Sequence, residues 1–300
     1  MITALALAGY AALVGAVLPR LLARARWAHR APAVAVLAWQ GLMVTFVVAT
    51  ALAVYHAVFA GEHLHGGLIG LLSLCGPAGA APSHAPAARD AFVLAAPVVV
   101  LLLPMARLVR CAVRARRARQ RQLDMLALVG APAPEYGATV VDHAAPAVYC
   151  LPGRTARVVV TRGALDVLSD TELRAVLEHE RAHITGRHHL PHLLADAFSR
   201  AFPGLPLARL GKPQTVLLLE MVADDRALRL HSREALATAL CEVASGRVPG
   251  AALGAGGSGA LIRLHRVLTP QPGPHWTARP AIVTATLAAP LLPLLLVCGP

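Results

Sequence analysis

Four stretches of this chain each run for about the thickness of a bilayer with at most one formal charge: residues 2–22, 33–60, 91–109 and 281–297. A spanning helix needs about 20 predominantly apolar residues, so each of the four is long enough or nearly so. Pro97 and Pro104 in the third, and Pro290 and Pro293 in the fourth, predict kinks rather than interruptions. The whole chain is 56% hydrophobic and 15% charged, against about 45–50% and 25% for soluble domains. The expectation is a membrane α-helical protein with four transmembrane helices and one modest polar domain.

Charge sets the orientation. Arg20, Arg24, Arg26 and Arg30 follow the first apolar run rather than precede it, which argues for a retained helix and against a signal peptide. The loop 61–90 holds a single arginine, Arg89, whereas seven arginines lie between Arg107 and Arg121. The positive-inside rule then puts both termini and the loop outside, in a plasma or inner membrane, with residues 112–278 in the cytosol. The division is residues 1–111 with three spanning helices, 112–278 polar, and 279–300 with the fourth. The net charge of +12 belongs to this topology. Lys212 is the only lysine, and no aromatic residues interleave with the arginines as a nucleic-acid surface would require. The partners expected are therefore a lipid bilayer and a protein, with no direct nucleic acid. Cys75, Cys111, Cys150, Cys241 and Cys298 form no CxxC pair. A bridge between the two outer ones, Cys75 and Cys298, is less favoured than two unrelated thiols.

Within the polar segment, Val140-Val141, Ala147 to Cys150 and Arg157 to Thr161 read as strands. Ser169 followed by Glu172 is a capping box, and it predicts a helix that runs through His183 and ends near Gly186. A second helix is expected from Pro213 to about Leu230 and a third from Ser232 to Ala244. Gly250 to Gly259 reads as a flexible loop and Pro270 to Pro274 as a linker.

The capped helix carries His179-Glu180-Arg181-Ala182-His183. Histidines four apart share a helix face and can hold one Zn²⁺, and Glu180 beside them can take a proton from a water that the metal activates. A catalytic zinc needs a third protein ligand. Glu220 is the candidate, because an acid set in Thr215-Val216-Leu217-Leu218-Leu219 needs a partner to be buried. Asp224, one turn on, can accept from a ligand histidine. The bland reading makes these solvated surface residues, with Glu220 paired to Arg226.

His179-Glu180-Arg181-Ala182-His183 followed by Glu220-Met221-Val222-Ala223-Asp224 resembles the M56 peptidases, integral-membrane zinc proteases of the penicillin-receptor and antirepressor type. The resemblance implies an α+β zincin-like domain with zinc ligands His179, His183 and Glu220, catalytic base Glu180 and supporting carboxylate Asp224. It further implies a regulatory protein substrate such as a transcriptional repressor. Two departures stand out. His188 occupies a position where receptor-type members often have an acid, and the sequence ends at Pro300 without an extracellular penicillin-binding sensor. M48 membrane peptidases share both motifs but usually place two helices before them and two after. A signal transducer with a structural metal site, and a scaffold without metal, are the rivals outside enzymology.

Of the remaining polar groups, Arg187-His188-His189 and His192 read as a polar segment after a helix end. Glu62, His63, His65 and His84 are candidates for an outer sensing loop. His231 and Tyr149 are candidates for stabilising a transition state.

Overall fold

A computed structural model describes residues 2–58, 88–153, 155–245, 257–269 and 278–298. The first apolar run forms helix α1, Ile2–Arg24, with a π turn at Leu13–Val17. After a short helix α2, Arg26–Arg30, comes α3, Pro32–Val58. Among the described residues, two helices are long and apolar enough to cross a membrane: Ile2–Arg24 and Pro32–Ala57. The third apolar run lies in α4, Ala88–Val129, a single helix whose first half is apolar and whose second half is arginine-rich. Pro97 and Pro104 sit inside it without ending it. The loop between α3 and α4, with Cys75 and its histidines, lies outside the described residues, as does the linker at 270–274.

The sheet has four strands in the order β1-β2-β4-β3: β1, Gly130–Ala133; β2, Ala138–Val141; β3, Val148–Leu151; and β4, Arg157–Thr161. β2 and β4 are parallel, and β3 lies antiparallel to β4 at one edge. The three strands expected from the sequence are present. β1 was not expected, because Gly130-Ala131-Pro132-Ala133 has none of the β-branched residues that mark a strand.

A short helix α5, Arg162–Val167, leads into α6, Asp170–Thr185. The capping box is formed, with Glu172 Oε2 accepting from the Ser169 N–H at 2.8 Å. One face of α6 buries Leu173, Val176 and Leu177 against Val148, Val158 and Val160 of the sheet. That packing fixes the height of the histidine motif over the edge strand.

Four further helices complete the core: α7, His189–Ala201; α8, Pro206–Ala227; α9, Arg233–Ser245; and α10, Gly257–Leu268. Arg187 and His188 lie beyond the end of α6 as expected, whereas His189 and His192 belong to the next helix, α7. Ala195, Ala197, Phe198 and Ala201 give it a buried face that outweighs the histidines at its start. α8 begins seven residues before Pro213 and keeps that proline inside. Burial explains the difference. Leu207 and Ala208 pack with Trp39 and Met43 of α3 in one cluster, so the first two turns are held by tertiary contacts despite the proline. The same cluster includes Leu218, Leu219 and Met221, and it joins the second apolar run to the helix that carries Glu220. α10 begins at Gly257 inside the segment expected as a loop, whose earlier part lies outside the described residues.

The fourth apolar run is not one helix. It divides into α11, Ala278–Ala288, and α12, Leu292–Cys298, with a turn at Ala289 to Leu291. Pro290 lies in that turn, where it has no N–H to continue a helical ladder.

Candidate metal centre

His179 and His183 project from adjacent turns of α6, with their Nε2 atoms 3.2 Å apart. Glu220, from α8, reaches both: Oε2 is 3.4 Å from His179 Nε2, and Oε1 is 3.4 Å from His183 Nε2. A tetrahedral zinc with bonds of 2.0–2.1 Å keeps its ligand atoms about 3.3 Å apart, close to these separations, with a different Glu220 oxygen nearest each histidine. The donor set, two imidazoles and a carboxylate, is also one that zinc accepts. Among the described residues, these three form the group of side chains able to hold a metal ion.

Each ligand is supported from behind. Nδ1 of the buried His179 stands 3.0 Å from Asp224 Oδ1, in an ion-pair contact whose N–H is not well aligned for a hydrogen bond. Nδ1 of His183 stands 2.8 Å from Nδ1 of His188. His188 reaches this position through a sharp reversal after α6. Arg187 takes a left-handed conformation, φ 49°, uncommon for a residue with a Cβ. Gly186 leaves room for the incoming ring, because a Cβ there would fall 2.5 Å from His188 Nε2.

The sequence reading did not include Arg263. From α10, its Nε and Nη2 grip Asp224 Oδ2 and Oδ1 at 2.9 and 2.8 Å, and its Nη1 reaches Glu220 Oε2 at 2.8 Å. One guanidinium thus holds two of the carboxylates of α8, Glu220 and Asp224. A planar fork with five donors can do this; a lysine cannot. The only signal for it in the sequence was apolar Leu261, Leu264 and Val267 at helical spacing around an arginine.

The electrostatics follow from this packing. Burial would raise the pKa of Glu220, but His179 and Arg263 outweigh it and hold the group at about 2. Burial would lower that of His179, but Asp224 and Glu220 hold it up at about 9. His183 is pushed down to about 4, chiefly by burial.

Glu180 lines the same cavity as His179 and Glu220 and also meets Cys150 of β3. Its pKa is raised, first by burial, while His179 and hydrogen bonds from the thiol and N–H of Cys150 oppose the rise. A carboxyl group moved toward neutrality is suited to taking and returning a proton. Cys150 lies on the edge strand, and burial followed by the adjacent Glu180 pushes its thiol up to about 12. It is a neutral hydrogen-bond donor to Glu180, not a thiolate. That cavity, of about 160 Å³, is completed by Val148, Val176, Leu240, Val243 and Arg263. Among the other residues singled out, Tyr149 is exposed on β3 and His231 follows α8; neither is among the residues of the cluster or of this cavity.

A helix-borne pair of histidines, a carboxylate from a second helix and a glutamate beside an open strand are what a zincin-like metallopeptidase needs. Residues 112–208, a third of the chain, match the model of peptidase family M48, whose members are zinc metallopeptidases. The match supports a metallopeptidase and takes in α6 with its histidine motif, but stops short of Glu220. No curated protein and no solved structure shows significant similarity to the chain.

Proposed function

We propose that the protein is a zinc-dependent, membrane-embedded endopeptidase that cleaves a cytosolic or juxtamembrane protein. The observation that carries the reading is the cluster of His179, His183 and Glu220 beside Glu180 and the edge strand β3. When bound, zinc supplies the Lewis acidity that activates a water and polarises a carbonyl. The rest falls to the chain's own residues. His179, His183 and Glu220 hold the ion, Asp224 and His188 orient the two imidazoles, and Arg263 fixes Glu220. Glu180 takes the proton of the attacking water and delivers it to the leaving amine. Among the described residues no strand lies beside the outer edge of β3, so an extended polypeptide can pair there within reach of Glu180. An extended main chain, rather than a small molecule, is the substrate such an edge selects.

Membrane embedding rests on α1, α3 and α4, which expose Leu5, Val17, Leu21, Leu37, Val44, Val99 and Leu102. That much exposed aliphatic surface is unfavourable in water and favourable in lipid. The orientation with termini outside and residues 112–278 in the cytosol rests on the arginine distribution. Three apolar segments before the motif and one after it favour an M56-type arrangement, while the match over residues 112–208 favours an M48-type peptidase. The chemistry is the same for both. By analogy with the M56 type, the substrate is a regulatory protein such as a transcriptional repressor.

The test is zinc per chain in detergent-purified protein, with cleavage of a mixed peptide library measured alongside. We expect about one zinc in the wild type, much less in Glu220→Ala, and zinc without cleavage in Glu180→Gln. If the wild type takes up no zinc when metal is supplied, the reading fails. If Glu180→Gln leaves the biological output intact, the metal is structural and the protein is a non-catalytic signal transducer.

A further inference from the structure

A groove of about 750 Å³ opens between the arginine-rich half of α4 and helix α7, and it ends at Cys150 and Leu151 of the edge strand and at Pro152 just after it. It therefore begins beside the residue that touches Glu180. Its charged lining is almost all basic: Arg114, Arg116, Arg119 and Arg200, with His189 and His192 opposite. The one carboxylate, Asp196, is already neutralised by Lys212 at 2.6 Å and Arg200 at 2.9 Å. Arg119 is spent on the carbonyl of Pro152, at 2.9 Å, and so braces the end of β3. Arg114 and Arg116 are exposed and have no carboxylate partner among the described residues. Ala112, Ala115 and Ala118 of the same helix also line the groove, and their small side chains let a main chain approach the helix closely.

Resting on the peptidase reading, we infer that this groove is the specificity site for the polypeptide substrate and receives an acidic segment of it. A chain that extends along β3 past Cys150 leaves the strand at Pro152, two residues or about 7 Å on. Asp or Glu side chains from there onward enter a basic groove with two uncommitted arginines. The selected substrate thus carries its acidic residues on one side of the scissile bond, beginning about three residues from it. Exposed ion pairs contribute little each but add across a patch and select against basic sequences. The same arginines could be met by the headgroups of anionic lipid, which is the competing occupant.

The test uses the full chain carrying Glu180→Gln, loaded with zinc, and three fluorescent peptides of equal length that are acidic, neutral or basic. Binding is read by anisotropy at low and high salt, in nanodiscs of phosphatidylcholine with and without phosphatidylglycerol. We expect the acidic peptide to bind about tenfold more tightly than the neutral one at low salt and to lose that advantage at high salt. The double variant Arg114→Glu, Arg116→Glu should remove the preference with zinc content unchanged, and Arg114→Lys, Arg116→Lys should keep it. Equal binding of acidic and neutral peptides overturns the inference. So does loss of the preference when phosphatidylglycerol is present, because the groove then belongs to lipid. The wild type separates this failure from that of the peptidase reading. Cleavage without charge preference sinks the groove alone, whereas zinc without any cleavage sinks the reading on which it rests.

Discussion

His183 and His188 meet through their Nδ1 atoms at 2.8 Å, so one imidazole stands behind the other where a carboxylate often stands behind a metal-bound histidine. For His183 to present Nε2 to a metal it must carry its proton on Nδ1, and His188 must then accept with Nδ1 and keep its own proton on Nε2. Removing the acceptor frees the His183 ring to rotate. His188→Ala should therefore weaken zinc binding about 10–100-fold, and His188→Asp should restore most of it. Gly186→Ala should act like His188→Ala, since its Cβ would displace the ring. Competition with a chromophoric chelator measures all three, and an unchanged affinity in His188→Ala would remove the positioning role.

Arg263 invites a test that separates folding from metal binding. Without metal it and the protonated His179 are the cations facing the ligand carboxylate Glu220 and the buried Asp224. Arg263→Leu should cost about 3–5 kcal/mol in the metal-free protein, because it leaves buried charge unpaired. Zinc should restore much of the loss by taking over the neutralisation of Glu220. Thermal unfolding in detergent, with zinc and with a chelator, reads the difference. A similar melting drop in both states would mean that Arg263 braces the helices without bearing on the metal.

How much of this was legible in advance follows from where each interaction is encoded. The helix of the histidine motif was legible because its capping box and apolar face are local, and Glu220 and Asp224 because a four-residue spacing places them on one face. Arg263 was not, since its pairing with Asp224 spans 39 residues and depends on how α10 docks. His188 was seen as a departure from a pattern, but its contact depends on the left-handed Arg187, which no side-chain pattern announces. α7 and the first turns of α8 were lost to histidines and prolines that read as breakers, because the burial that overrides them comes from α3.

That last dependence can be tested at Gly211. A Cβ at this position of α8 would fall 2.5 Å from Met43 Cε and 3.4 Å from the ring of Trp39, both on α3. Met43 can yield to a methyl group, so Gly211→Ala should be tolerated. Gly211→Leu should overpack the contact and cost about 1–3 kcal/mol. Because α8 also bears Glu220, zinc affinity should fall with the melting temperature. A Gly211→Leu protein that melts and binds zinc like the wild type would show that α3 does not support the site.

Protons and metal compete at His179, and this gives a pH dependence with a definite sign. Burial alone would lower its pKa, but Asp224 and Glu220 hold it at about 9 in the metal-free protein. A histidine binds metal only when neutral, so zinc must displace that proton. Apparent zinc affinity should therefore rise about tenfold per pH unit below about 9 and level off above it. Stability of the metal-free protein runs the other way. The folded pKa lies above the unfolded value of 6.5, so this stabilisation is fully present below about pH 6.5 and is lost as pH rises toward about 9. Asp224→Asn weakens the pull on the proton, and should shift both curves to lower pH. Chelator competition and thermal unfolding from about pH 6 to about pH 9.5 read the two effects. A zinc affinity that is flat across the range would mean that His179 is already neutral, and that Asp224 orients it without charging it.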